Sequence, residues 1–103
     1  MSDPLEPNEA AELLGPEVMK EFRDDCAAQL DALAGSPSDL ELLRLTAHRL
    51  SGSAGTYGYP EASRIAARLE RRALDAKAGG PAPDAAEVRA ALGDLRRALS
   101  LPE

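Results

Sequence analysis

This chain has few aromatic residues, one cysteine, one histidine and no long apolar run, and each scarcity narrows what it can be. Phenylalanine, tyrosine and tryptophan together make up 3% of its 103 residues, while alanine is abundant. That composition suits closely packed helices better than a sheet sandwich. Cys26 stands alone, so no intrachain disulfide can form, which fits a reducing cytoplasm. Positive charge is outweighed: a formal net charge of −6 offers no basic field to neutralise nucleic-acid phosphates or to hold an anionic membrane. No apolar stretch approaches the ~20 residues of a membrane span. Residues 1–7 are acidic and contain proline, unlike a secretory signal. There is no Walker-type glycine loop, no kinase nucleotide motif and no acid cluster with His or Cys suited to a metal. His48 and Cys26, on different predicted helices, cannot hold zinc between them. No cofactor and no metal site are expected. What remains is 44% apolar and 29% charged, ordinary for one soluble domain over residues 1–103, with loose tails expected at 1–7 and 101–103.

The chain divides by its own punctuation. Asn8 is placed to cap a short helix over residues 9–14, closed by Gly15. Pro16 suits a first helical position, and Val18, Met19, Phe22, Cys26, Leu30 and Leu33 keep helical spacing to Gly35. Ser36, Pro37 and Asp39 read as hydroxyl cap, N1 proline and N3 acid of a third helix running to about Thr56. Pro60 opens a fourth, with Ala62, Ile65, Ala66, Leu69, Ala73 and Ala76 inward. Residues 78–83 break it. Asp84 with Glu87 starts a last helix, striped by Val88, Leu92, Leu95 and Leu99. No segment alternates with period two, so no strand is predicted. The expected fold is all-α: an antiparallel up-down-up-down four-helix bundle with a short extra N-terminal helix.

The most informative segment is 47–58, Ala-His-Arg-Leu-Ser-Gly-Ser-Ala-Gly-Thr-Tyr-Gly. Glycine within a helix costs roughly 1 kcal/mol relative to alanine, so Gly52 and Gly55 call for a reason. At ~100° per residue, Leu40, Leu43, Ala47, Leu50 and Ala54 form the core stripe. His48 lies on the polar side, among Glu41, Arg44, Ser51, Gly52 and Gly55. Ser51, Gly52 and Gly55 share its face at i+3, i+4 and i+7, so nothing large lies beside the imidazole. A ring nitrogen is left open to a bulky partner, whereas an ordinary surface histidine would need no such clearing.

Ala47, His48, Leu50, Gly52, Ser53, Ala54, Tyr57 and Gly58 resemble the signature of the histidine phosphotransfer (HPt) domains of multistep phosphorelays. The helical pattern extends that resemblance over nearly the whole chain. One departure stands out: where the family commonly has lysine three residues after the histidine, this chain has Ser51. The resemblance implies that His48 accepts a phosphoryl group. It also implies that the partner is a receiver domain of a response regulator or hybrid kinase, which supplies the aspartate and its bound magnesium.

Two further groups of residues bear on that expectation. With a turn near Gly58, the level opposite His48 is about residue 68. Arg64, Arg68, Arg71 and Arg72 crowd there, four guanidinium groups in nine residues. Arg68, and less directly Arg64, are candidates to steady the phosphate in place of the missing lysine; the alternative is a solvated face paired with Glu61 and Glu70. Leu42 and Leu45, roughly opposite the core stripe, and Arg44 are candidates for partner docking, unless the short first helix covers the leucines. The chain is thus expected to be a cytoplasmic, free-standing, monomeric phosphorelay intermediate rather than an enzyme. The alternative is a helical adaptor that docks receiver domains or other partners without being phosphorylated. A histidine-kinase dimerisation domain is disfavoured, because no His-Glu-x-x-Thr-Pro-like run is present.

Overall fold

The computed structural model describes residues 7–102. They form five α-helices: α1 (Pro7–Leu14), α2 (Pro16–Gly35), α3 (Leu40–Ser53), α4 (Pro60–Lys77) and α5 (Ala85–Ala98). Among the described residues there is no strand. The chain reverses at Gly15, whose φ of 90° favours glycine, and Pro16 follows as the first residue of α2. Because α1 already starts at Pro7, Asn8 is its second residue and not its cap; residues 1–6 of the expected N-terminal tail lie outside the described residues.

The start of α3 differs from expectation. Asp39 is the N-cap, its carboxylate accepting the Leu42 N–H at 3.0 Å. Ser36 instead ends α2, its N–H donating to the Leu33 carbonyl. A carboxylate at the cap satisfies an orphan donor and meets the positive end of the helix dipole, which displaces the start by three residues. The far end also comes earlier, at Ser53, with residues 54–58 forming a turn. Gly58 makes that turn possible at φ 87°, and the Tyr59 N–H returns to the Ala54 carbonyl at 2.8 Å. The closing glycine of the 47–58 segment therefore has a backbone reason.

Asp84 caps α5 as its spacing predicts, accepting the Glu87 N–H at 2.8 Å. Past α5, Ser100 adopts φ 58° and the Leu101 N–H donates to the Arg96 carbonyl, a Schellman-type finish. Leu101 is half-buried against the core, so the segment expected to be loose is tied down at that residue.

α2 packs against α3 and α5, α4 against α3 and α5, and α1 against α2 alone. Leu30, Leu33, Leu43, Leu50, Val88, Leu95 and Leu99 fill the interior. Ala47, Ala54, Ala62, Ala66 and Ala73 are fully buried; such small side chains let helix axes approach closely, and α3 and α4 make the most extensive of the interhelix contacts. Three cross-links set their direction: Ser51 with Ser63, His48 with Glu70 and Glu41 with Lys77. As α3 numbers fall, α4 numbers rise, so the two helices run antiparallel. Val18, counted in the α2 stripe, is 38% exposed, since it lies at the edge of the face centred on Met19, Phe22 and Cys26. Thr46 is buried instead of the half-buried Leu40.

Candidate functional site

His48 projects from the outer side of α3, its side chain 66% exposed. Its Nδ1 lies 2.8 Å from Glu70 Oε2, on α4. An ionised carboxylate only accepts hydrogen bonds, so Nδ1 carries the proton and donates. In the neutral ring the other nitrogen, Nε2, then keeps its lone pair. Glu70 is itself largely covered, with a side chain 21% exposed, and is held by the α4 backbone rather than by a loop. The arrangement fixes both the tautomer and the ring plane, as a carboxylate does for histidines in reactive sites.

The surroundings of the ring are small or tied back. A Cβ added at Gly52 would meet no atom within 4 Å, so no contact inside the chain requires glycine there. At Gly55, in the turn beyond α3, an added Cβ would make only ordinary contact with Ser63, at 3.8 Å. The Ser51 hydroxyl donates to the His48 carbonyl at 2.9 Å, and the Ser51 carbonyl accepts from the Ser63 hydroxyl at 2.7 Å. Towards α2, His48 and Gly52 border an open depression with Asp25, Gln29, Arg49 and Tyr57. Phe22 and Tyr57 stack beside it, ring centroids 4.1 Å apart and planes at 9°. Gln29 donates to Asp25, while its own Oε1 has no partner among the described residues.

Charge around the site is arranged differently from the expectation. Arg68 lines the α4–α5 groove with Ile65, Arg72 and Asp94, about 200° around the helix from Glu70. Arg64 is paired with Glu61 at 2.8 Å and is exposed. Neither is brought to His48. The reason is register: residues 48 and 70 are equidistant from Tyr59, as are 41 and 77, so the seam at the level of His48 is centred on Tyr59 rather than Gly58. That one-residue shift puts residue 70 opposite the histidine in place of 68. The solvated pairing of Arg64 with Glu61 is the one observed.

Arg44, one turn before His48 on the same face, is half-buried and binds Glu41 through two contacts, of 2.6 and 3.2 Å. Lys77 of α4 binds the same carboxylate. Hydrogen bonding by Arg44, then by Lys77, lowers the Glu41 pKa to about 2. Arg44 is also drawn electrostatically by Glu70. Leu42 and Leu45 are both half-buried, not exposed as a docking patch would need. α1 does not cover them, since it reaches only α2. Among the described residues the exposed large apolar side chains are Leu13, Leu14, Val18 and Leu74, of which Leu74 shares a shallow depression with Glu70 and Arg71. Among the described residues, no group of three or more His, Cys, Asp or Glu side chains is placed to hold a metal ion.

Sequence reasoning missed Glu70 as a partner and Ser63 as a seam residue. Glu70 would have followed from the register once Tyr59 was taken as the centre, whereas the Ser51–Ser63 pair near the turn is centred on residue 57 and would not. A family model, Hpt domain, matches residues 17–100. The chain therefore belongs to the Hpt domain family, whose members act in histidine phosphotransfer within phosphorelays. No curated protein and no solved structure matches it. No helix among the described residues is long and apolar enough to cross a membrane.

Proposed function

We propose that the chain acts as one helical domain that relays a phosphoryl group between receiver-domain aspartates through His48, in the cytoplasm and as a monomer. The observation that carries this reading is the Nδ1–Glu70 hydrogen bond on an exposed ring, beside a glycine that no packing contact requires. In the forward step the Nε2 lone pair attacks the phosphorus of a receiver aspartyl phosphate. The N–P bond forms, the P–O bond breaks, and the aspartate carboxylate leaves. The Nδ1 proton stays with its Glu70 hydrogen bond throughout. In the return step a second aspartate attacks, and the N–P electron pair goes back to Nε2. The charged oxygens of the donor and the magnesium that holds them belong to the receiver.

Gly52 and Gly55 give a bulky partner access to the ring, and Ser51 shapes the same face. Arg64 and Arg68 have no part in this reading, because their positions face Glu61 and the α4–α5 groove. The antiparallel α3–α4 pair and the contacts of α2 and α5 with it support an up-down four-helix arrangement as the scaffold. Leu74, Val18 and the half-buried Tyr57 ring give a partner apolar footing around the site.

The test is phosphotransfer from a phosphorylated receiver domain. The wild-type chain takes up acid-labile, base-stable phosphate; His48→Gln takes up none and keeps its helical circular dichroism, because the side chain fills no core space. Phosphate on the His48→Gln protein would place the acceptor elsewhere. Docking of the receiver with no uptake by the wild type would leave an adaptor in place of a relay.

A further inference from the structure

The family's usual lysine is Ser51 here, and its hydroxyl is spent on the His48 carbonyl. A phosphoryl group on Nε2 would add nearly two negative charges next to Glu70 and two turns from Glu41 on the same helix. Some cation must answer that charge. Arg44 and His48 lie one turn apart on one face of α3, and helical side chains lean towards the N-terminus, so the imidazole leans over Arg44 and away from Ser51. Arg44 is only 26% exposed, is within electrostatic reach of Glu70, and already forms a forked pair with a carboxylate. That carboxylate, Glu41, has a second cation in Lys77.

We propose that Arg44 is the phosphate-binding cation of this protein: it turns from Glu41 onto the phosphoryl oxygens of phosphorylated His48, while Lys77 keeps Glu41 paired. This rests on His48 being the phospho-acceptor. Exchange is favoured because a phosphoryl group presents more charge and more acceptor oxygens to the planar guanidinium than a carboxylate does. Lys77 removes the penalty that would otherwise oppose it, since Glu41 is never left without a partner. Arg49 also lies near His48, but on the α2 side with Asp25 and Gln29, away from the Glu70 seam.

The experiment uses the intact chain phosphorylated with phosphoramidate, a small donor that needs no partner protein. The ³¹P resonance of the phosphohistidine is followed through a pH titration in wild type, Arg44→Gln, Arg44→Lys, Lys77→Gln and Arg49→Gln. A bound guanidinium favours the dianion, so its loss raises the titration midpoint. Arg44→Gln is expected to raise it by about 0.5–1 unit, a three- to tenfold change in proton affinity. Arg44→Lys should recover part of that. Lys77→Gln should raise it by a smaller amount, because Glu41 then competes for Arg44, and the Arg44→Gln/Lys77→Gln double variant should match Arg44→Gln alone. Arg49→Gln should leave the midpoint unmoved. A wild-type midpoint in Arg44→Gln, or a shift confined to Arg49→Gln, overturns the assignment while leaving His48 as acceptor. No phosphohistidine in the wild type at all would overturn the relay reading itself.

Discussion

Removing the Glu70 carboxylate tests whether the histidine works because of its orientation or merely because of its exposure. In Glu70→Ala the ring loses its carboxylate partner, becomes free to rotate, and populates both neutral tautomers. A charge-assisted hydrogen bond is worth about 1.5–3 kcal/mol. With the His48 side chain 66% exposed and that of Glu70 21% exposed, solvent competes for the bond and the lower end applies. A loss of about 1–1.5 kcal/mol corresponds to about five- to thirteenfold in the rate of phosphoryl uptake. Glu70→Gln, whose amide oxygen still accepts from Nδ1, should fall between the two. The assay is rapid-quench phosphotransfer from a phosphorylated receiver domain, paired with ¹⁵N spectra of the imidazole. The spectra should show Nδ1 protonated in the wild type and a tautomer mixture in Glu70→Ala. A Glu70→Ala protein with a mixed-tautomer ring and a wild-type rate would refute the orienting role.

Three other substitutions or titrations probe separate features. Gly52→Ala should raise the melting temperature, since the helix gains about 0.5–1 kcal/mol and the new Cβ meets nothing; at about 4–8 °C per kcal/mol the shift is measurable calorimetrically. Gly52→Gln should instead slow receiver-dependent transfer by covering the ring, and transfer at the wild-type rate would mean that access does not explain this glycine. Cys26, 1% exposed and with its thiol pushed up to about 12 mainly by burial, should react with a disulfide reagent only at the pace of unfolding at neutral pH, and fast native labelling would contradict that burial. Glu41 should titrate near 2 rather than the ordinary 4.5 in carbonyl NMR. Its folded pKa is depressed, so its stabilising pairs persist above 4.5 and are lost as pH falls towards 2. Because Arg44 is the larger cause, Arg44→Gln should move the midpoint further upward than Lys77→Gln.

The sequence carried the helices and their punctuation wherever local chemistry decides them. Pro16, Gly15, Asp84 and the apolar stripes of α2, α4 and α5 act through neighbours a few residues away, so they are visible in one dimension. Asp39 shows the limit: serine and aspartate are both good caps, and only the turn that Ser36 completes with Leu33 selects between them. The histidine and its cleared face were equally legible, because they share one helix. What faces that helix was not, since a one-residue change in the centre of the α3–α4 turn moves the opposing position by two residues, about 200° around α4, and exchanges a guanidinium for a carboxylate. The half-burial of Leu42 and Leu45 was hidden for the same reason, depending on neighbours in other helices.

The α3–α4 turn also bears on how the molecule assembles. α3 and α4 are consecutive in the chain, joined by a short reversal fixed at Gly58, and share the most extensive interhelix contact. Closing a short loop between neighbours loses little chain entropy, and contacts of low sequence separation form fast. His48 and Glu70 therefore belong to one hairpin, a unit able to hold its shape through the partial openings that loosen peripheral segments. The periphery here is α1, anchored to α2 alone. Fraying at that end would leave the distance between imidazole and carboxylate untouched, so the chemistry is insulated from the helix with the fewest neighbours.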